Sequence, residues 1–441
     1  MRLLPRDHPD RLSLADEVHA RPPEPLETPS RATYVAVLVE PDDRERERAH
    51  LTALCTAFGV AGPPDGATHF SASLGPLRVK WERHGEFSGY TFFTAGRSPE
   101  PFSEPPTTQL PEGWLAAVPG ATVVGAHAKL VPADAALPDA ALLARHFGSN
   151  IVVGSGVGDG KGVAYTDFRI HDDGCTRFLV LDRGFTPRQA GRMLQRLFEI
   201  EAYRMMALLA LPIARQQSPR IVAIERALAA LTERIADGDT RETRDATGHH
   251  AGDDEALLQQ LTKLAAEVES GLATSQFRFG ACRAYFELVT RRIAELRETR
   301  IDGVQPIEEF MARRFTPAVA TCATVSQRLH DLSERVAQAS ALLSTRVEIA
   351  RERQNQSLLS SMDRRARLQL RLQQTVEGLS VAAIVYYVAG LAGYGAKALK
   401  AAGVHIDPDL AVGLAIPVVA VLVMLTVRRA RHGAGVHHPL D

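Results

Sequence analysis

Two charge-free runs near the C-terminal end limit this chain more than any other feature. LSVAAIVYYVAGLAGYGA, residues 379–396, and LAVGLAIPVVAVLVMLTV, residues 410–427, each hold 18 residues without Asp, Glu, Lys or Arg. As a helix, each would reach about 27 Å, close to the thickness of a bilayer's hydrocarbon core. Arg364, Arg365, Arg367 and Arg371 precede the first run, and Arg428, Arg429 and Arg431 follow the second. The connection 397–409 holds only Lys397 and Lys400, set against Asp407 and Asp409. Positive residues stay on the cytoplasmic side, so both termini and the basic tail 428–441 are expected there, with the loop 397–409 outside. The N-terminus has no apolar run of signal-peptide length.

Upstream of the spans, residues 317–378 carry no interior proline or glycine and read as one long helix. Val325, Leu329, Leu332, Val336, Ala339 and Leu343 recur at spacings of four and three, a heptad seam that calls for another helix. A stalk running into the membrane is expected, and with it self-association. Residues 186–316 read as a further helical region. Its parts are a helix over 218–235, a flexible polar loop 237-DGDTRETRDATGHHAGDDE-255 containing His249 and His250, and a helix over 256–297. Gly303 and Pro306 mark the turn that follows.

Residues 1–185 read as a cytoplasmic α/β domain. Strands are expected over 34–40, 68–73, 77–83, 87–95, 121–130, 150–154, 163–170 and 176–181, with helices over 42–58 and 138–145. Thr186-Pro187 is a helix start, a threonine cap with proline in the first turn.

The net charge is −1, which gives no drive toward nucleic acid. Cys55, Cys175, Cys282 and Cys322 form no CxxC motif and read as buried free thiols. The glycine-rich 154-GSGVGDGKGVAYT-166 fails as a phosphate loop. Ser155 stands at the first glycine position, Gly162 follows Lys161 where Ser or Thr would hold magnesium, and a strand comes next. A hairpin turn is expected instead. Glu82, His84 and Glu86 alternate along one segment and could share a face, offering metal binding or acid–base chemistry against a plain charged hairpin. Asp16, Glu17, His19 and Arg21 cluster before a proline-rich run, as a structural clasp. No catalytic residues stand out, and the chain is expected not to be an enzyme.

DEVHARP at the N-terminus, KWERH-EF--YTF, and 355-NQSLLSSMDRRARLQLRLQQTVEGLSVAAIVYY-387 together resemble a bacterial family of predicted membrane-anchored proteins of unknown function. The resemblance implies the bacterial inner membrane and supplies no catalytic residues. The order of an α/β domain, a long stalk, two spans and a basic tail is also similar to CorA-type magnesium channels. Those are homopentamers whose first span lines the pore and ends in AG-x-x-G-Met-Asn. Ala389, Gly390 and Gly393 match that pattern, with Tyr394 and Gly395 at the Met and Asn positions; the same small-residue spacing reads first as a helix-packing face, a second sign of self-association. Gly395 lacks the side-chain oxygen that would greet a hydrated divalent cation, and Lys397 and Lys400 repel one. Glu377 is the acidic residue at the inner end of the span. The expected function is a self-associating scaffold or interaction protein in the bilayer, without cofactor. A CorA-like channel, pentameric and passing Mg2+ or another divalent cation, is the alternative.

Overall fold

The computed structural model of the chain describes residues 5–12, 14–15, 22–98, 100–133, 138–242, 251–403 and 407–434. The side chains at 237–242, 251–252, 427–428 and 430–434 are not among those described. The chain divides into two compact units, Met1–Asp245 with Leu257–Ala341, and Ala246–Ala256 with Leu342–Asp441.

The first unit holds an eight-stranded mixed sheet. In chain order its strands are β1 (Ser30–Leu38), β2 (His69–Leu74), β3 (Leu77–Arg83), β4 (Phe87–Ala95), β5 (Ala121–Pro132), β6 (Val153–Val157), β7 (Gly162–Thr166) and β8 (Thr176–Asp182). Their spatial order is β2-β3-β4-β1-β5-β8-β7-β6. Every pair is antiparallel except β5 with β8, which run parallel, Ala126 facing Thr176. The central strand β1 is apolar on both faces because helices cover both. Ala32, Tyr34 and Ala36 enter one core, while Val35 and Val37 enter the other. On the second face lie α1 (Arg44–Ala57), through Leu51, Leu54 and Cys55, and the Trp114 indole. Helix α2 (Ala140–Phe147) adds Phe147 to a third cluster with Val163, Tyr165, Leu179 and Leu181.

On the first face lies α3 (Pro187–Leu208). Its start is a capping box. Thr186 Oγ1 accepts from the Gln189 amide at 3.4 Å, and Gln189 Oε1 accepts from the Thr186 amide at 3.1 Å. Met193, Leu197, Ile200 and Tyr203, at helical spacing, are buried there. Further helices are α4 (Ala210–Glu242), α5 (Ala251–Leu296), α6 (Ile307–Arg314) and α7 (Thr316–Ala401). In the first unit the seam residues Val325, Leu329, Leu332 and Val336 of α7 are buried within the chain, and Arg328 pairs with Glu225 of α4 at 2.7 Å.

The 154–166 segment is the β6–β7 hairpin, and its glycines have a steric reason. A Cβ on Gly156 would lie 2.2 Å from Thr299 Oγ1, because residues 156 and 299 exchange backbone hydrogen bonds of 2.9 and 2.8 Å. The strand expected over 163–170 stops at Thr166, where Asp167 turns its side chain back to accept from the Arg169 amide at 3.2 Å. The polar segment 237–255 is shorter as a loop than its composition suggests: helix extends to Glu242 and restarts at Ala251, with Asp253 and Asp254 favourably placed in the first turn. His249 and His250 lie outside the described residues.

The second unit contains the membrane-length segments. Helix α7 continues through 379–396 to Ala401, and α8 (Pro408–Ala434) follows. The loop expected over 397–409 is correspondingly shorter. Ala, Leu and Lys at 397–401 favour helix, and Gly403, at φ 92°, ends it. Lys397 and Lys400 therefore sit on the last turns of α7. Two helices are long and apolar enough to cross a membrane.

Candidate functional site

The hairpin residues divide by environment. Ala389 and Ala396 are buried, and a Cβ on Gly393 would lie 2.8 Å from Val412 Cγ2 of α8. Spacings of four and three place these small residues on one stripe of α7, where small side chains let two backbones approach. Gly390 and Gly395 face open space. Tyr394 is 74% exposed, with Lys397 Nζ 6.0 Å from its ring centroid. Asp407 Oδ1 accepts from the Asp409 amide at 3.1 Å at the start of α8. Glu377 is half-buried. Gly393→Leu is expected to weaken the hairpin, seen as earlier loss of the detergent-solubilised protein on heating. Gly395→Leu should leave it unchanged, and equal effects would count against this packing.

Glu82, His84 and Glu86 do not converge. Glu82, on β3, turns toward α3 and pairs with Lys80 at 2.9 Å. His84 stacks on Phe87 at 4.3 Å in the tight β3–β4 turn. Glu86 pairs with Arg278 of α5 at 2.6 Å. The shared face is lost because β3 ends at Arg83, before the period of two can bring the three side chains together. Asp16, Glu17, His19 and Arg21 lie outside the described residues.

Lys80 and Glu82 open onto a small pocket between the sheet and α3, lined also by Tyr34, His84, Gln195, Glu199 and Tyr203. Its volume is about 30 Å3. That is room for a water or two and too small for an organic substrate. Burial, then the Glu82 carboxylate, holds the Tyr34 hydroxyl well above its ordinary range. Lys80 Nζ reaches Gln195 Oε1 at 3.4 Å, and Gln195 donates to Glu199 at 2.7 Å. Arg292 of α5 pairs with Glu199 and, at 3.0 Å, with Glu295. The network ties sheet, α3 and α5 together.

On the opposite side of β5, a groove of about 720 Å3 is lined by Arg97, Lys129, Arg145 and His146. Burial first, then the charges of Arg97, Arg145 and Arg31, pushes the Lys129 pKa down. Three cations around one open space favour an anion, offset by Asp139 in the lining and by Glu100 on Arg145 at 3.2 Å. This groove was not legible in the sequence, since its cations come from the loop after β4, from β5 and from α2.

A family model described as a protein of unknown function, DUF3422, matches residues 6–434. This chain belongs to the DUF3422 family. No curated protein and no solved structure matches it. Membership in DUF3422 spans the α/β unit and both apolar helices alike, so these parts belong to one architecture, and the family brings no assigned activity.

Proposed function

We propose that this DUF3422 chain is a cytoplasm-facing protein of the bacterial inner membrane that self-associates beside the bilayer and acts as a scaffold, not as an enzyme. One observation carries the reading. Leu358, Leu359, Met362, Leu368, Leu370, Leu372 and Val376 of α7 are each at least 56% exposed. A run of exposed apolar side chains on one helix marks an interaction surface. The bilayer does not cover it, because Arg364, Arg365, Arg367 and Arg371 are interleaved. A second copy of the same helix does. Leu372, Val376, Leu379, Ala383 and Tyr386 repeat at spacings of four and three, a seam that passes from the aqueous segment into the span.

Two features that point to self-association in the sequence are used elsewhere. The Val325–Val336 seam is buried within the chain, and Gly393 faces Val412. That leaves residues 358–386 to meet another chain. The arginine flanks on both sides of the hairpin support cytoplasmic termini.

The test is disulfide crosslinking in native membranes with Leu372→Cys in a background where Cys55, Cys175, Cys282 and Cys322 are replaced. Crosslinked dimers are expected, and none with Arg371→Cys, which points off the seam. Monomer throughout would end the proposal. The CorA-like alternative requires in addition a pentamer and Mg2+ flux in reconstituted vesicles, with Gly390 and Tyr394 toward the axis. A dimer without flux removes that alternative and leaves the scaffold.

A further inference from the structure

His127 lies at the middle of β5, directly opposite Thr33 on β1, and is only 5% exposed. Its Nδ1 is 2.9 Å from Thr33 Oγ1. That bond leaves Nε2 to face the other neighbour, β8. The parallel pairing sets His127 beside Arg177, so the turn entering β8 closes over the imidazole. This turn is Asp172-Asp173-Gly174-Cys175. Gly174 takes φ 79°, which a glycine adopts without strain, and its amide donates to the His171 carbonyl at 2.9 Å. Asp173 Oδ1 accepts from the Cys175 amide at 3.0 Å, which orients the carboxylate. Cys175 Sγ lies over Gly125, where a Cβ would stand 2.9 Å from the sulfur. A larger residue at 125 would push the thiol away.

The outcome is one nitrogen, one oxygen and one sulfur donor on three side chains, all within 4.8 Å of one another. Asp173 Oδ2 is 3.9 Å from His127 Nε2. Tetrahedral zinc, with bonds of about 2.0–2.3 Å, needs its donors about 3.5 Å apart. Closing the remaining distance takes a rotation of Asp173, which is on an exposed turn. The donor set decides the metal. Magnesium and calcium take oxygen ligands, whereas imidazole with thiolate favours zinc. Thr33 fixes which imidazole nitrogen is presented, the usual role of a group behind a ligand histidine.

We propose that His127, Asp173 and Cys175 form a zinc site with three protein ligands and one position left to water. Binding forms the Zn–S bond as the Cys175 thiol gives its proton to solvent. The metal also replaces Arg177, whose guanidinium is 3.5 Å from Asp173 Oδ2 and keeps its bond to the His146 carbonyl at 2.9 Å. The site is independent of the membrane reading.

The experiment uses the full-length, detergent-purified, metal-stripped protein titrated with Co2+ and then Zn2+. The wild type should show visible tetrahedral Co2+ bands and a thiolate charge-transfer band in the near ultraviolet, saturating at one ion per chain and bleached by Zn2+. Cys175→Ser should lose the thiolate band. Thr33→Val should weaken affinity by about tenfold while keeping the spectrum. Cys282→Ser and Cys322→Ser, which alter two of the three buried thiols, should leave it unchanged. A wild type without a thiolate band overturns the proposal whatever the variants do, and so does a band that survives Cys175→Ser.

Discussion

Lys80→Met is expected to cost the α/β unit about 3–5 kcal/mol, because it removes the cation from a buried ion pair and leaves a carboxylate in the core. Lys80 and Glu82 are 5% and 8% exposed and 2.9 Å apart, with Tyr34 and the small pocket beside them. Methionine fills the volume of the lysine stem, so packing is largely kept and the loss is electrostatic. The double variant Lys80→Met/Glu82→Leu should recover most of the stability, since the desolvated carboxylate is gone as well. The readout is direct. The chain has two tryptophans, Trp81 and Trp114, both in the core on the other face of the sheet, so their fluorescence follows unfolding of this unit alone. Additive losses in the double variant would mean the pair is not coupled as described.

Gly191→Ala should destabilise by about 2 kcal/mol, against the helix preference for alanine of up to about 1 kcal/mol. Gly191 sits in the second turn of α3, where residues 24–26 cross the helix. A Cβ there would stand 1.7 Å from the Glu24 carbonyl oxygen, and the Leu26 amide donates to the Pro187 carbonyl at 2.9 Å. Backbone cannot rotate away as a side chain can, so the strap must lift. Faster proteolysis within residues 22–29 is the expected sign. Gly280→Ala is the matched contrast: it lies inside α5 with open space around its Cβ position, and should gain about 0.5–1 kcal/mol. A stable Gly191→Ala protein with an uncut strap would contradict this account.

The parts legible in the sequence were those governed by local rules. Absence of charge over 379–396 and 410–427 marks two apolar helices, because a spanning length needs only composition to be recognised. Thr186, Pro187 and Gln189 mark a helix start, because a cap is satisfied within one turn. Gly-rich 154–166 reads as a hairpin for the same reason. The seam at Val325–Val336 shows that α7 needs a partner, though not that α7 finds it inside its own chain.

Local rules stop where distant segments meet. Glu82, His84 and Glu86 promise one face, and the end of β3 sends them to Lys80, Phe87 and Arg278. His127 and Cys175 are 48 residues apart, and no spacing connects them. The sequence by itself determined the apolar hairpin, the order of helices and strands, and the caps, because each is set by residues within a few turns of one another. Only the tertiary structure decided that β5 and β8 lie side by side in parallel, which brings imidazole, carboxylate and thiol within 4.8 Å. It alone decided that Gly191 must stay bare, because a backbone carbonyl from residue 24 occupies the space its Cβ would need.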